Sequence, residues 1–272
     1  MAEGWIADAR AAFDAAYERD WQAHVRALNA AYGLTGDTTL LEVPTTPEFF
    51  WGDLGGFRPR EWVAVISLNP QLMSADDLVW QQRQPWTPES LWAYLNRRDL
   101  REWKPKDFYY TKFARPLVLL AGAAVGDPDP LRDEVGFFMS RVGVFETMPY
   151  PSRVYRFSTD DALHLASTDV GCQASLGIAL AAIRSCPPAA VLTNGLRAAE
   201  VLTAVAGWHW TEQRYPSVSR ASKTLRHWEG TVESNDGPVP LFGLPHLRTQ
   251  SSHNSNAEIA QLAERIAEVV HG

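Results

Sequence analysis

Short apolar runs alternate with longer segments of helical periodicity along this chain. The runs have the length of buried strands, and they lie at 62–68, 108–113, 189–194 and 239–244. The periodic segments repeat their apolar positions every three or four residues, and they lie at 5–31, 172–185, 196–207 and 255–270. A Ser255-x-x-Glu258 capping box starts the last of these predicted helices, and Pro187 ends the second.

Strands that alternate with helices favour an α/β fold with a mostly parallel sheet. We therefore predict one domain, a three-layer α/β/α sandwich around a central, mostly parallel sheet of four strands. Residues 1–60 are interpreted as an N-terminal helical extension. Residues 123–168 and 208–237 are interpreted as insertions, the first because of its scattered prolines and the second because of its polar, tryptophan-containing pattern.

Polar residues follow three of the four predicted strands. Asn69-Pro70 ends the first strand, Thr193-Asn194-Gly195 follows the third, and His246-Leu247-Arg248 follows the fourth. In parallel sheets, ligands bind beyond the carboxyl ends of the strands. The loops after the first and fourth strands are therefore predicted to share one site.

Composition and charge narrow the functional classes. The chain has 272 residues, a mass of 30.3 kDa and a net charge of −7 with a pI near 5.5, which argues against a non-specific nucleic-acid binder. Segment 97–116 is nevertheless basic, and it is compatible with a polyanionic ligand. With no apolar run near 20 residues and no basic leader, a soluble cytoplasmic monomer without a membrane partner is expected. Cys172 and Cys186 are expected to be reduced and buried, and neither a metal nor a cofactor is expected.

Four segments, in order along the chain, carry a resemblance to a known family. They are SLNP at 67–70, YTKFARP at 110–116, the helix–strand–Gly–helix unit at 171–202 and LPH at 244–246. This order resembles that of the uracil-DNA glycosylase superfamily, nearest its mismatch-specific uracil/thymine branch. The resemblance spans about 62–126 and 171–270.

The resemblance implies an enzyme that flips a base out of double-stranded DNA and hydrolyses its N-glycosidic bond. Asn69 aligns with the residue that positions the attacking water, and His246 aligns with a donor to the departing base. Trp80, or else Trp86, would stack on the flipped base, with Gln71, Lys112 (or Thr111) and Asn194 around it. The residues expected to contact DNA are Arg248, Ser251, Ser252, Arg115 and Lys223, with further basic side chains at Lys104, Lys106, Arg214, Arg220 and Arg226.

Departures from the family pattern point to an unusual base. Arg248 stands where a serine is usual, Gln71 stands where a glycine follows the proline, and no clear asparagine follows the predicted second strand. We expect a monofunctional glycosylase acting on a modified or mismatched pyrimidine, with a bulky phage-type cytosine, and hence antiviral defence, as one substrate class. The alternatives are a uracil/thymine mismatch repair glycosylase, a non-catalytic nucleic-acid-binding member of the fold, and an unrelated α/β hydrolase or nucleotide-binding protein. This sequence has no Gly-x-Ser-x-Gly elbow, phosphate-binding loop or zinc motif that would support the last of these alternatives.

Overall fold

A computed structural model describes residues 2–17, 19–40, 49–68, 87–96, 108–152, 154, 156–220, 222–245 and 255–272. The side chains of 2, 3 and 108–114 are outside this description. Nine α-helices lie within the described residues: α1 (Ala2–Tyr17), α2 (Trp21–Ala31), α3 (Pro88–Asn96), α4 (Phe108–Val125), α5 (Glu134–Arg141), α6 (Thr159–Thr168), α7 (Val170–Ser185), α8 (Leu196–Ala206) and α9 (Asn256–His271).

The described strands form a single seven-stranded sheet. They are β1 (Phe50–Trp51), β2 (Val63–Ser67), β3 (Val142–Glu146), β4 (Ala190–Asn194), β5 (Thr211–Pro216), β6 (Thr224–Ser234) and β7 (Gly237–Leu244). Their order across the sheet is β1-β3-β2-β4-β7-β6-β5. The neighbours β3, β2, β4 and β7 are parallel, whereas β1 and the β5–β6 ribbon pair antiparallel at the two sides.

Helices cover both faces of the sheet, which agrees with the predicted α/β class. Alternate side chains of each strand point to opposite faces. Val65 and Leu192 pack on the face covered by α4, α5 and α9, and Ile66 and Val191 pack on the face covered by α1, α2, α3, α6, α7 and α8. The sheet has seven strands rather than the predicted four.

The predicted second strand is wrong. Residues 108–113 begin helix α4, and the strand that pairs with β2 on its other side is Val142–Glu146. Segment 123–168, which the sequence predicts to be an irregular insertion, therefore contains a strand of the parallel core together with α5 and α6. Segment 208–237 adds β5 and β6 to the sheet as a ribbon, and segment 5–31 contains two helices rather than one.

The last helix matches its prediction closely. Ser255 is the N-cap of α9, and its hydroxyl accepts a hydrogen bond from the amide of Glu258 at 3.2 Å, while the Glu258 carboxylate accepts one from the amide of Ser255. This reciprocal pair is the capping box that the sequence indicates. Ile259, Leu262 and Ile266 are buried against the sheet.

Candidate functional site

The carboxyl ends of the parallel strands carry a row of buried polar side chains. Ser67 is in register with Glu146 on β3, and Asn194 is in register with Leu244 on β7. Ser67 and Asn194 end the neighbouring strands β2 and β4, and the Asn194 side-chain amide donates to the Ser67 hydroxyl at 3.5 Å. A carboxylate, a hydroxyl and an amide therefore lie side by side across three adjacent strands.

All of these side chains point to the same face of the sheet. In each strand the residue two positions earlier, such as Val65 on β2, Val144 on β3 or Leu192 on β4, packs in the apolar layer under α4 and α9. Because side chains alternate along a strand, Ser67, Glu146 and Asn194 share this face. The row therefore borders the apolar layer at its carboxyl edge, which gives it a low-dielectric floor.

The polar side chains of this row are buried, so a hydrogen bond that one of them lacks costs free energy. Ser67, Glu146 and Asn194 are each at most 5% exposed. The Asn194 side-chain oxygen has no hydrogen-bond partner among the described residues. A buried amide oxygen without a donor costs roughly 1–3 kcal/mol unless a bound group supplies one.

The backbone around the row is held firmly. The amides of Thr147 and Met148 donate to the carbonyls of Ser67 and Leu68 at 2.9 and 2.7 Å, which continues the β2–β3 ladder beyond the strands. On the far side, the amide of Gly195 donates to the carbonyl of Leu244 at 3.0 Å. The site is therefore built on strand ends rather than on free loops, which favours a preorganised geometry.

Helix α8 begins beside this row. Its N-cap is Gly195, whose φ of 106° is accessible mainly to glycine, and no side chain caps the helix. The N-terminal amides of a helix carry a partial positive charge, which stabilises nearby negative charge. This arrangement suits a phosphate or a base that leaves with negative charge.

The structure places four of the predicted site residues, and they lie in different surroundings. Asn194 is in the polar row. Arg115 is exposed in the N-terminal half of α4, and Lys112 is in the same helix rather than after a strand. The Lys223 ammonium donates to both carboxylate oxygens of the fully buried Glu258 at 2.9 Å, and its contact with DNA stays a prediction.

Other predicted site residues lie outside the described part of the chain. These are Asn69, Gln71, Trp80, Trp86, Lys104, Lys106, His246, Arg248, Ser251 and Ser252. In the sequence, Asn69 is the second residue after Ser67, and His246 is the second residue after Leu244. Both therefore follow directly from strands whose ends border the polar row.

Sequence reasoning missed Glu146 because it missed β3. The signal was the run VGVFE at 142–146, with β-branched and aromatic residues typical of a buried strand, ending in a carboxylate. Because ligands bind beyond the carboxyl ends of parallel strands, a carboxylate that ends such a run is a candidate site residue.

A second polar cluster joins helix α2 to the start of α7. The carboxylate of Asp169 accepts hydrogen bonds from the Tyr150 hydroxyl at 2.6 Å and from the amides of Gly171 and Cys172, and its other oxygen lies 2.7 Å from Nε2 of His24. Burial would raise the pKa of Asp169, but these hydrogen bonds outweigh it and hold that pKa below its usual value. Burial beside this carboxylate also raises the pKa values of Tyr150 and Cys172.

Comparisons with known proteins do not assign the site. No protein-family model, curated protein or solved structure matches the chain. Among the described residues, no group of three or more His, Cys, Asp or Glu side chains could hold a metal ion. No single helix in that part of the chain is long and apolar enough to cross a membrane, and only α6 with α7, bent by 79°, would pass that criterion as a pair.

Proposed function

We propose that this protein is a monofunctional DNA glycosylase that flips a modified cytosine out of double-stranded DNA and hydrolyses its N-glycosidic bond. The observation that carries the proposal is the polar row Glu146–Ser67–Asn194 at the edge where β2 and β7 end. The two motifs that resemble the glycosylase family, SLNP and LPH, start on these same two strands.

The spacing of the strands supports a pocket for one base. β4 is the single strand between β2 and β7. Adjacent strands are about 4.8 Å apart, so the ends of β2 and β7 are separated by about 10 Å. Groups that extend from these two ends can contact opposite sides of one pyrimidine ring, with Asn194 beneath it.

Glu146 favours a base with an exocyclic amine. A carboxylate accepts hydrogen bonds from the N4 amino group of cytosine, whereas the O4 carbonyl of uracil or thymine has no proton to offer. A buried acceptor that faces a carbonyl oxygen is left unpaired and rejects that base strongly. This argument selects cytosine-type bases over the uracil and thymine of the resembling branch.

The reaction needs three contributions from the chain. Asn69 orients a water molecule toward C1′ through its amide oxygen, since an amide cannot remove the proton itself. As the C1′–N1 bond breaks, positive charge develops on the sugar and electrons pass to the base. The base leaves as an anion, which His246 stabilises by donating a hydrogen bond, while the Glu146 carboxylate holds the exocyclic amine. The attacking water loses its proton to solvent, and the released base takes up one proton from solvent.

The test is a glycosylase assay on duplexes that contain uracil, mismatched thymine or cytosines with modifications of increasing size. Hot alkali reveals the abasic sites. We expect release of a modified cytosine that depends on Asn69, and a loss of roughly 100-fold or more in Asn69→Ala. Glu146→Gln should lose activity on cytosine-type bases and gain relative activity on uracil, because an amide can also donate to a carbonyl oxygen.

Glu134→Gln provides the matched control, since Glu134 is in the first turn of α5, the helix that directly precedes the amino end of β3. Its activity should equal that of the wild type. Release of uracil faster than of any modified cytosine would overturn the substrate class. DNA binding with no base release from any duplex would favour a non-catalytic member of the fold. If a phage-type modified cytosine is the best substrate, the excision would serve defence against viral DNA.

A further inference from the structure

A groove lined by tryptophans lies on the α8 face of the sheet, apart from the polar row at its carboxyl edge. It has a volume of about 560 Å³ and is open to solvent. The residues that line it are Glu200 and Thr203 on α8, Trp208, His209 and Trp210 in the connection to β5, Glu212 on β5 and Trp228 on β6. The proposed glycosylase reaction uses none of these residues.

The three indole rings form a fixed aromatic wall. The ring centroids of Trp208 and Trp210 are 6.1 Å apart, and those of Trp210 and Trp228 are 6.4 Å apart, with interplanar angles of 60° and 46°. The rings are therefore tilted rather than stacked, and Trp210 and Trp228 are partly exposed. Trp208 is buried in the core and anchors the wall, and the Trp210 ring nitrogen donates to the Thr203 hydroxyl at 2.9 Å.

The backbone is shaped to hold this wall against the sheet. The segment that carries Trp208 and Trp210 crosses directly over Gly230 of β6, where any side chain would collide with the carbonyl oxygen of His209. The close approach therefore requires glycine at 230. Trp210 is held by its hydrogen bond to Thr203 and by the close packing of the neighbouring His209 backbone on Gly230. The Trp210 ring therefore needs little reordering when a ligand binds.

The charged groups of the groove are negative. Glu200 and Glu212 line it, and no lysine or arginine does so among the described residues. Glu212 already pairs with Arg214 at 2.8 Å, whereas Glu200 has no hydrogen-bond or ion-pair partner in the described part of the chain. The groove therefore combines an uncompensated carboxylate with the negative faces of aromatic rings.

We propose that this groove binds an alkylammonium cation. Cations are attracted to the faces of tryptophan rings, and this contact is stronger where water is displaced. Alkyl groups on the nitrogen reduce its hydration and contact the rings, while Glu200 supplies the opposite charge. The cation comes either from a small amine or from a lysine side chain of a peptide, and both sources present the same chemical group.

A second depression adjoins the groove and extends the space available to a longer ligand. It has a volume of about 450 Å³ and shares Trp208 and His209 with the groove. Its walls include the apolar side chains of Leu180, Ile183, Val205 and Val232. A ligand with an alkyl chain behind its cationic head would use both depressions, and such a ligand should bind more tightly than a head group alone.

The test is calorimetric titration of the full-length protein with choline and with its neutral isostere, 3,3-dimethyl-1-butanol. The two probes have the same shape and differ in charge. We expect saturable binding of choline and at least tenfold weaker binding of the alcohol. Glu200→Gln and Trp228→Leu should each weaken choline binding by about tenfold. Glu264→Gln, the same change at an exposed position on α9, should leave it unchanged.

Peptide arms distinguish the two sources of the cation. A peptide with trimethyllysine that binds more tightly than choline, when the same peptide with acetyllysine at that position does not bind, would support a peptide source. Choline or a longer trimethylammonium compound that binds more tightly than any such peptide would support a small amine. Equal binding of choline and the alcohol, or binding of neither by a protein with wild-type circular dichroism, would overturn the proposal. None of these outcomes depends on base release from DNA, so the two proposals fail separately.

Discussion

At the scale of the residue, one buried carboxylate links three parts of the chain. Asp169 caps α7 through two amides, accepts from Tyr150 after β3, and pairs with His24 on α2. Hydrogen bonds to a charged group contribute about 1.5–3 kcal/mol each, more than neutral ones. Asp169 therefore connects α2 to the start of α7.

We expect Asp169→Asn to lower the free energy of unfolding by about 2 kcal/mol at neutral pH, because the amide keeps the cap but loses the charge. The pKa of Asp169 is lower in the folded state, so its contribution is complete above the unfolded pKa of about 4 and is lost as the pH falls through the folded value. The difference between wild type and variant should therefore narrow below about pH 4 in urea titrations. Asp133→Asn, the same change at the N-cap of α5, should have little effect, and an equal loss there would contradict the argument.

Two glycines with open space around them test backbone conformation alone. A Cβ at Gly195 or at Gly177 would meet nothing within 4 Å, but Gly195 has a φ of 106° and Gly177 lies inside helix α7. Gly195→Ala should therefore destabilise the protein by about 1–3 kcal/mol through strain. Gly177→Ala should stabilise it by up to about 1 kcal/mol, since alanine favours a helix. Thermal unfolding measures both, and shifts of the same sign would contradict this assignment.

At the scale of the element, the turn of the β5–β6 ribbon is joined to α9 by a buried ion pair. Glu258 is fully buried, and it accepts from Lys223 and from the hydroxyls of Ser217 and Ser219. Breaking one side of a buried pair leaves an uncompensated charge. Lys223 thus has a structural role, independent of any contact with DNA.

Lys223→Met should lower the free energy of unfolding by about 3–5 kcal/mol, because the Glu258 carboxylate then stays buried without its cation. The double variant Lys223→Met/Glu258→Gln should recover much of this loss, since no charge remains to be buried. Urea unfolding of the single and double variants forms a double-mutant cycle. Additive effects in that cycle would show that the pair is not coupled.

Secondary structure was predictable where pattern and context agree, and not where they conflict. β2, β4, β7 and α9 have buried apolar runs or capping boxes that leave little choice. The run at 108–113 is rich in aromatic residues and by itself predicts a strand, yet it continues without a break into the helix-favouring Leu117–Val125 despite Pro116. Packing of the later residues of α4, such as Leu117 and Leu120, in the layer shared with α9 favours a helix over the strand that the aromatic run indicates. The sequence does not predict β3, because the prolines before and after it favour turns and make the whole segment look irregular.

The candidate site was predictable in position but not in composition. The sequence places Asn194 at a strand end and predicts that the ends of β2 and β7 meet at one edge, and the topology confirms that both strands end there. The missing member is Glu146, because its place depends on which strand pairs with β2. Strand order is a property of the whole sheet, and no local pattern encodes it.

At the scale of the whole molecule, the net charge of −7 requires that any DNA contact come from a local surface. The parallel strands all end at one edge, and α9 returns from that edge, with α4 packed along it. Arg115 is exposed in the half of α4 nearer this edge, whereas Arg132 is exposed just before α5, near the opposite edge. If DNA binds at the carboxyl edge, as proposed, Arg115 should contact it and Arg132 should not.

We expect Arg115→Gln to weaken DNA binding at low salt and to reduce the slope of log K against log [salt] by about one, because one phosphate contact is lost. Arg132→Gln removes the same charge and should leave the slope unchanged. The measurement is fluorescence anisotropy of a labelled duplex with an abasic-site analogue, at several salt concentrations. If the two variants change the slope equally, the effect is one of net charge alone and the DNA does not face the carboxyl edge. If Arg132→Gln alone changes it, the DNA lies at the amino edge, far from Glu146 and Asn194, and the glycosylase proposal loses its geometric basis.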